Sequence, residues 1–225
     1  MKNILSLIIT LLSLQHSFAQ QDILRLKNVV GKTPLRTQQY SEYVGSAFFS
    51  DVWSKGIVKD VNGTSIKDIE LKYDELTDEL LFRSNDGQEL GFAVQVSQFE
   101  ININTSGNLK KHFFKNGFPA IAKSSERSFF EILHNGKINL LKKNYKRVEE
   151  SRAFNTATVT KTIINRLKYF TYDGFRITEF KRDIKSLQKV FGETSLVVIE
   201  YIKNQKLDIK NDDDLIKVLE FYSGL

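Results

Sequence analysis

Three dipeptides, Asn62-Gly63, Asn135-Gly136 and Asp173-Gly174, stand between apolar, strand-like runs and constrain this chain more than any other feature. A two-residue hairpin turn demands positive φ, which Gly adopts freely and Asn or Asp tolerate, so each pair predicts two antiparallel strands joined tightly. Asn85-Asp86-Gly87 and Ser106-Gly107 are longer turns of the same kind. The runs between turns predict strands near 47–53, 56–61, 65–73, 79–84, 89–94, 98–102, 111–114, 129–133, 137–142, 167–172 and 175–180. Short connections make the expected topology an antiparallel meander, a curved sheet or half-barrel of about 10–11 strands.

After Phe180 the period changes. Ile184, Leu187, Val190 and Phe191 recur at helical spacing, with Gly192 suited to the helix end. Leu196, Ile199 and Ile202 follow Thr194 as a cap, and Leu215, Val218, Leu219 and Tyr222 follow Asn211. The fold class is therefore α+β, mainly β: a sheet over 44–180, then a C-terminal group of three short helices over 181–225, together one domain. The run Asp212-Asp213-Asp214 reads as capping and compensation of the helix dipole. A calcium loop would need a central Gly and further oxygen ligands at fixed spacing.

Strand faces follow from a period of two. In "IELKYDELTDELLF", Ile69, Leu71 and Tyr73 share one face while Glu70, Lys72 and Asp74 share the other. These carboxylates, with Glu75, Asp78 and Glu79 of the turn, read as the solvent side of a half-packed sheet rather than an acid/base pair. "SFFEIL" differs, placing Phe130 and Ile132 on one face and Phe129 and Leu133 on the other. "KYFTY" likewise opposes Tyr169 to Phe170 and Tyr172. Strands apolar on both sides are covered on both sides. The C-terminal helices are the expected cover for the hairpins after residue 128.

The start, MKNILSLIITLLSLQHSFAQ, sets Lys2 before an apolar run, Ile4 to Leu14, and then the small-residue site Ser17-Phe18-Ala19. That order is an export signal, with cleavage expected after Ala19. The apolar run is shorter than the ~20 residues a bilayer span requires, and no later segment reaches that length. Residues 20–43 read as an exposed arm. The chain has no Cys, which excludes a lipid-bearing cysteine, thiol chemistry and cysteine metal sites. A core formed from the remaining 206 residues needs no disulfide at this size.

Chemistry-bearing motifs are sparse. His112 and His134 have no ligand partner at metal spacing on a shared element. The chain lacks G-x-S-x-G, H-E-x-x-H and a phosphate-binding glycine loop, so no cofactor and no catalytic residue is expected. Charge is the one uneven feature. Residues 60–100 hold ten acidic and three basic side chains, whereas 101–147 hold two acidic and ten basic. Such halves can attract each other across a fold. They can also leave a patch, Lys137, Lys142, Lys143, Lys146 and Arg147, facing an anionic partner. For an exported chain that partner is an envelope protein, polysaccharide or lipid headgroups, and not nucleic acid.

"GSAFFSDVWSKGIVKDVNGTSIKDIELKYDELTDELLF", "FFEILHNGKINLLKK" and the closing "VIEYIKNQKLDIKNDDDLIKVLEFYSGL" resemble uncharacterised exported β-rich proteins common in Bacteroidetes-type bacteria. The resemblance, carried by these three segments, implies export and a β-rich fold. It carries no activity or site. The expected function is that of a non-catalytic envelope protein, in the periplasm or at the outer membrane or cell surface, that binds another macromolecule. Two alternatives are a lipid or small-ligand carrier with a half-barrel cavity and a hydrolase whose site is assembled from distant residues.

Overall fold

The structure, a computed structural model, describes residues 40–105, 107–152, 154 and 158–225. The expected signal peptide and residues 20–39 of the arm lie outside them. No helix among the described residues is long and apolar enough to cross a membrane.

Eleven strands form one open sheet: β1 (Tyr43–Val44), β2 (Ser54–Asp60), β3 (Ser65–Asp74), β4 (Glu79–Arg83), β5 (Glu89–Gly91), β6 (Val96–Thr105), β7 (Asn108–Lys115), β8 (Phe130–His134), β9 (Asn139–Arg152), β10 (Val159–Tyr172) and β11 (Ile177–Phe180). Their order is β1-β10-β9-β8-β7-β6-β2-β3-β4-β5, with β11 also on β10. Two corrections to the expected meander follow. The chain leaves edge strand β5 and returns to place β6 beside β2, so the sheet is two meanders joined at the β2–β6 pair. β1 runs parallel to β10, so the sheet is mixed.

Gly56 makes the β2–β6 junction possible. A Cβ there would stand 2.1 Å from the Glu100 carbonyl oxygen and 2.5 Å from Leu71 Cδ1. The residue also sits at a register shift between β2 and β3. Gly63, Gly87 and Gly174 have the positive φ that the sequence indicated, but Gly136 does not, and the β8–β9 connection spans residues 135–138 rather than a two-residue turn. The predicted strand over 47–53 is instead irregular chain held by an isolated bridge from Phe48 to Asp74. β9 and β10 are far longer than predicted, at 14 residues each.

Three apolar clusters hold the sheet. β2–β7 pack Val58, Leu71, Tyr73, Phe82, Phe99, Ile101 and Phe114 together with Phe129. Across β8–β11 burial is two-sided, as the sequence indicated. Leu140 and Tyr169 join the helices, while Leu141, Phe130 and Phe170 pack on the opposite face with Phe118 and Ile177.

The expected three separate helices form two helical stretches. Helix α1 (Ile184–Phe191) continues through a 3-10 turn at Gly192–Thr194 into α2 (Ser195–Gln205), and α3 (Asp212–Ser223) follows a short loop. Asp183 caps α1 by accepting from the Ser186 amide. Thr194 does not cap: its hydroxyl donates to the Phe191 carbonyl. Asn211 accepts from the amides of Asp213 and Asp214. Leu187, Val198, Leu215 and Val218 are fully buried against the sheet.

Candidate functional site

The site grows from the β9–β10 hairpin. β8 ends its pairing with β9 at Lys142, so from Lys143 outward β9 pairs with β10 alone. The turn between β3 and β4, Glu75 to Asp78, fills the space beside this exposed edge. Asp78 accepts from Lys143 Nζ at 3.0 Å and from the Tyr73 hydroxyl. Glu75 pairs with Lys146 Nζ at 3.1 Å and accepts from Asn144 Nδ2 at 2.9 Å. Lys146 also donates to the carbonyls of Ser46 (3.0 Å) and Phe48 (2.6 Å), tying down the chain after β1. The acidic and basic halves of the sequence therefore meet here.

This corrects the reading of the turn carboxylates. Glu70 is a solvent-side residue, with a side chain 44 % exposed, but Glu75 is 7 % exposed. Asp74 is buried and accepts from the Tyr40 hydroxyl and the Leu76 amide. Tyr40 also stacks edge-on against Phe48, so the last residues of the expected exposed arm are anchored. Burial pushes the Glu75 carboxyl above its ordinary range despite the opposing pull of Lys146 and Asn144. Burial and the neighbouring Asp78 push the Tyr73 phenol well up.

A second network ties the helices to the sheet. His112 Nδ1 lies 2.6 Å from Glu131 Oε1, and Lys142 Nζ stands 3.6 Å from Glu131 Oε2 and 3.0 Å from Asp212 Oδ2. Asp212 also accepts from the Tyr169 hydroxyl at 2.7 Å and pairs with Arg182, which lies over the Tyr169 ring. Burial opposes charge on Asp212, but Tyr169, Lys142 and Arg182 outweigh it and hold the carboxyl below its usual range. Burial and the bond to Asp212 push the Tyr169 phenol up to about 12. One member of the acidic run is thus a tether to the sheet, a role that the capping reading missed.

Of the five residues read as an anionic-partner patch, Arg147 and Lys137 are exposed. Arg147 lies beside Glu149, and Lys137 stands over the Tyr222 ring on the helical side. Lys142, Lys143 and Lys146 are engaged internally as described, so the five do not make one open surface. Adjacent Lys142 and Lys143 do point to opposite faces. They do not both reach solvent, because the β3–β4 turn covers Lys143, whose side chain is 8 % exposed. His134, at the end of β8, is half-buried, and burial lowers its pKa.

The register of the hairpin assembles a different basic surface. Lys143 pairs with Lys168, Tyr145 with Arg166 and Arg147 with Ile164. Residues two apart share a face, so Lys143, Arg147, Arg166 and Lys168 align on one side. A pocket of 370 Å³ opens there, closed by Glu75 and Asp78 of the β3–β4 turn and by Lys123 and Ser128 of the preceding loop. Six cations, counting Lys146, line it against these two carboxylates. Lys143 and Lys146 are neutralised by Asp78 and Glu75, and Lys168 pairs with Glu179 at 2.7 Å. Lys123 and Arg166 have no carboxylate partner among the described residues. A cleft of 350 Å³ on the opposite face is lined by Phe49, Phe114, Phe129, Glu75, Glu131 and Asn165 among others. The Oδ1 of Asn144, beside both spaces, is buried without a hydrogen-bond partner.

Sequence reasoning missed Lys123, Arg166 and Lys168. The available signal was the two-residue spacing of the two β10 cations, but "INRLK" lacks the alternation that marks a strand.

Comparison of the chain with protein-family models, with curated proteins and with solved structures finds no match.

Proposed function

We propose that this is an exported, non-catalytic envelope protein that binds an anionic macromolecular partner through the basic face of the β9–β10 hairpin. The observation that carries this reading is the pocket on that face, with six cations against two carboxylates and with Arg166 and Lys123 unpaired among the described residues. A concave site walled by like charges concentrates its field and draws an oppositely charged partner. The export part of the reading rests on the order of basic, apolar and small residues at the N-terminus. The carrier reading is less favoured. The hollow of the β2–β7 half is filled by stacked and edge-on rings of Tyr73, Phe99, Phe114 and Phe129, with centroids 4.7 to 6.0 Å apart.

The test replaces Lys123, Arg147 and Arg166 by Gln and leaves the internally paired Lys142, Lys143 and Lys146 in place, since altering those would report on folding. Binding to immobilised envelope extract, anionic vesicles and acidic polysaccharide is measured against salt. Wild-type binding should weaken with salt, because exposed charges are screened within about 8 Å at physiological ionic strength. The triple variant should lose binding while keeping its melting temperature. Equal retention of both proteins at every salt concentration would defeat the proposal.

A further inference from the structure

We infer that the open edge of β10 accepts an extended acidic segment of a protein partner as an added strand. The inference rests on the reading that the basic hairpin face meets an anionic partner, and it names that partner's chemistry.

The outer edge of β10 is occupied at two places. β1 pairs with Lys161 and Thr162, and β11 pairs with Tyr169 to Tyr172. Gly45 extends the first contact, since a Cβ on it would lie 2.9 Å from the Ile163 carbonyl oxygen. Between these contacts, Ile164 to Lys168 have no strand partner on that side among the described residues, and Asn165, Arg166 and Leu167 are exposed. This slot is about 17 Å long at the usual rise of a strand. Unpaired edge groups in a sheet are a ready template for another chain.

Charge selects the occupant. A pocket of 330 Å³ at the slot is lined by Arg166, Lys168, Lys181 and Arg182, with Glu179 as its acidic residue. Arg166 and Lys168 are two residues apart and share a face, whereas Leu167, 47 % exposed, turns to the other. A strand with acidic residues at alternate positions and an apolar residue between them matches both faces. Opposite charges on neighbouring strands are favourable and like charges are not. A second copy adding through the same edge would set Arg166 and Lys168 against themselves. Residues 20–39 of this chain hold one acidic and four basic side chains, the wrong sign for the slot.

The test uses the full chain and fluorescence anisotropy with a labelled peptide of alternating Glu and Val, roughly eight residues long so that it overhangs the slot. One control carries N-methyl groups on alternate backbone nitrogens, and another has Lys in place of Glu. The Glu peptide should bind and the Lys peptide should not. Methylation should weaken binding at least ~10-fold, as expected for the loss of two backbone hydrogen bonds. Arg166→Glu should weaken the Glu peptide by a similar factor with the melting temperature unchanged. Equal affinity for methylated and unmethylated peptides would overturn strand addition. If acidic polysaccharide bound wild type but not the Lys123, Arg147 and Arg166 variant, the function proposed above would survive that result. Loss of every anionic ligand would sink both. Dimerisation through this edge, removed by Arg166→Glu, would assign the slot to a second copy and overturn the inference. Displacement of the Glu peptide by a peptide of residues 20–39 would assign it to the chain itself, with the same consequence.

Discussion

Replacing Lys146 by Met leaves the aliphatic stem in place and removes an ammonium that satisfies three acceptors: Glu75 at 3.1 Å, Ser46 O at 3.0 Å and Phe48 O at 2.6 Å. The side chains of Lys146 and Glu75 are only 5 % and 7 % exposed, so solvent does little to screen the pair. Breaking a buried pair by removing one partner costs about 3–5 kcal/mol, because the other charge stays buried. Glu75 has one escape, which is to bind a proton. Its carboxyl already sits above the ordinary range through burial, and Lys146 is the largest influence holding it down. A carboxyl whose folded pKa exceeds its unfolded value binds protons more readily when folded, so stability falls as pH rises through the folded pKa. Removing Lys146 pushes that pKa further up and widens the window. Urea denaturation of Lys146→Met should therefore show a loss near 3–5 kcal/mol at pH 8 and a clearly smaller one at pH 5. The midpoint should shift while the slope stays constant. A loss below about 1 kcal/mol at pH 8, or the same loss at both pH values, would refute the claim that Glu75 is a buried carboxylate held by Lys146.

Three further outcomes follow from the same structure. Asp78→Ala strips the acceptor from Lys143, Tyr73 and the Phe129 amide and should cost about 3 kcal/mol, whereas Glu70→Ala should stay within about 0.5 kcal/mol; denaturant midpoints read the contrast. Gly56→Ala drives a Cβ into the Glu100 carbonyl and Leu71 at the junction of the two meanders, and the chain should fail to accumulate as a cooperatively folded species by circular dichroism. Asp212 has its pKa held down in the fold, so its tether is fully present above the ordinary carboxylate range and is lost as pH falls through the depressed value. Protection of the α3 amides, relative to their intrinsic exchange at each pH, should fall over that acid range in wild type, and Asp212→Asn should show the lower protection already at pH 7.

Local periodicities were legible because they are written in neighbouring residues. A period of two and turn chemistry located most strands of the sheet, and the two-sided burial of Phe129–Leu133 and Tyr169–Tyr172 followed from alternation alone. Helical spacing and Gly192 located the helical stretches in the same way. The distal halves of β9 and β10 escaped this reading because "NYKRVEESR" and "VTKTIINR" are largely solvated and show no regular alternation. The placement of β6 beside β2 also escaped, since either meander could have paired elsewhere by local rules.

The candidate site depended on such long-range choices. Lys143 meets Asp78 across 65 residues of sequence, so no window of the chain could show that the acidic turn closes on the hairpin edge. The opposite charges of residues 60–100 and 101–147 were visible, and their mutual attraction was one of two readings open to the sequence. Tertiary structure decided between them residue by residue. It buried Lys143 and Lys146 against carboxylates, tied Lys142 to Asp212, and left Arg147 exposed on the face that pairing gives to Arg166 and Lys168. Charge sign is a property of composition. Which charges are neutralised depends on the distance and burial that folding imposes, and only the packed sheet sets those.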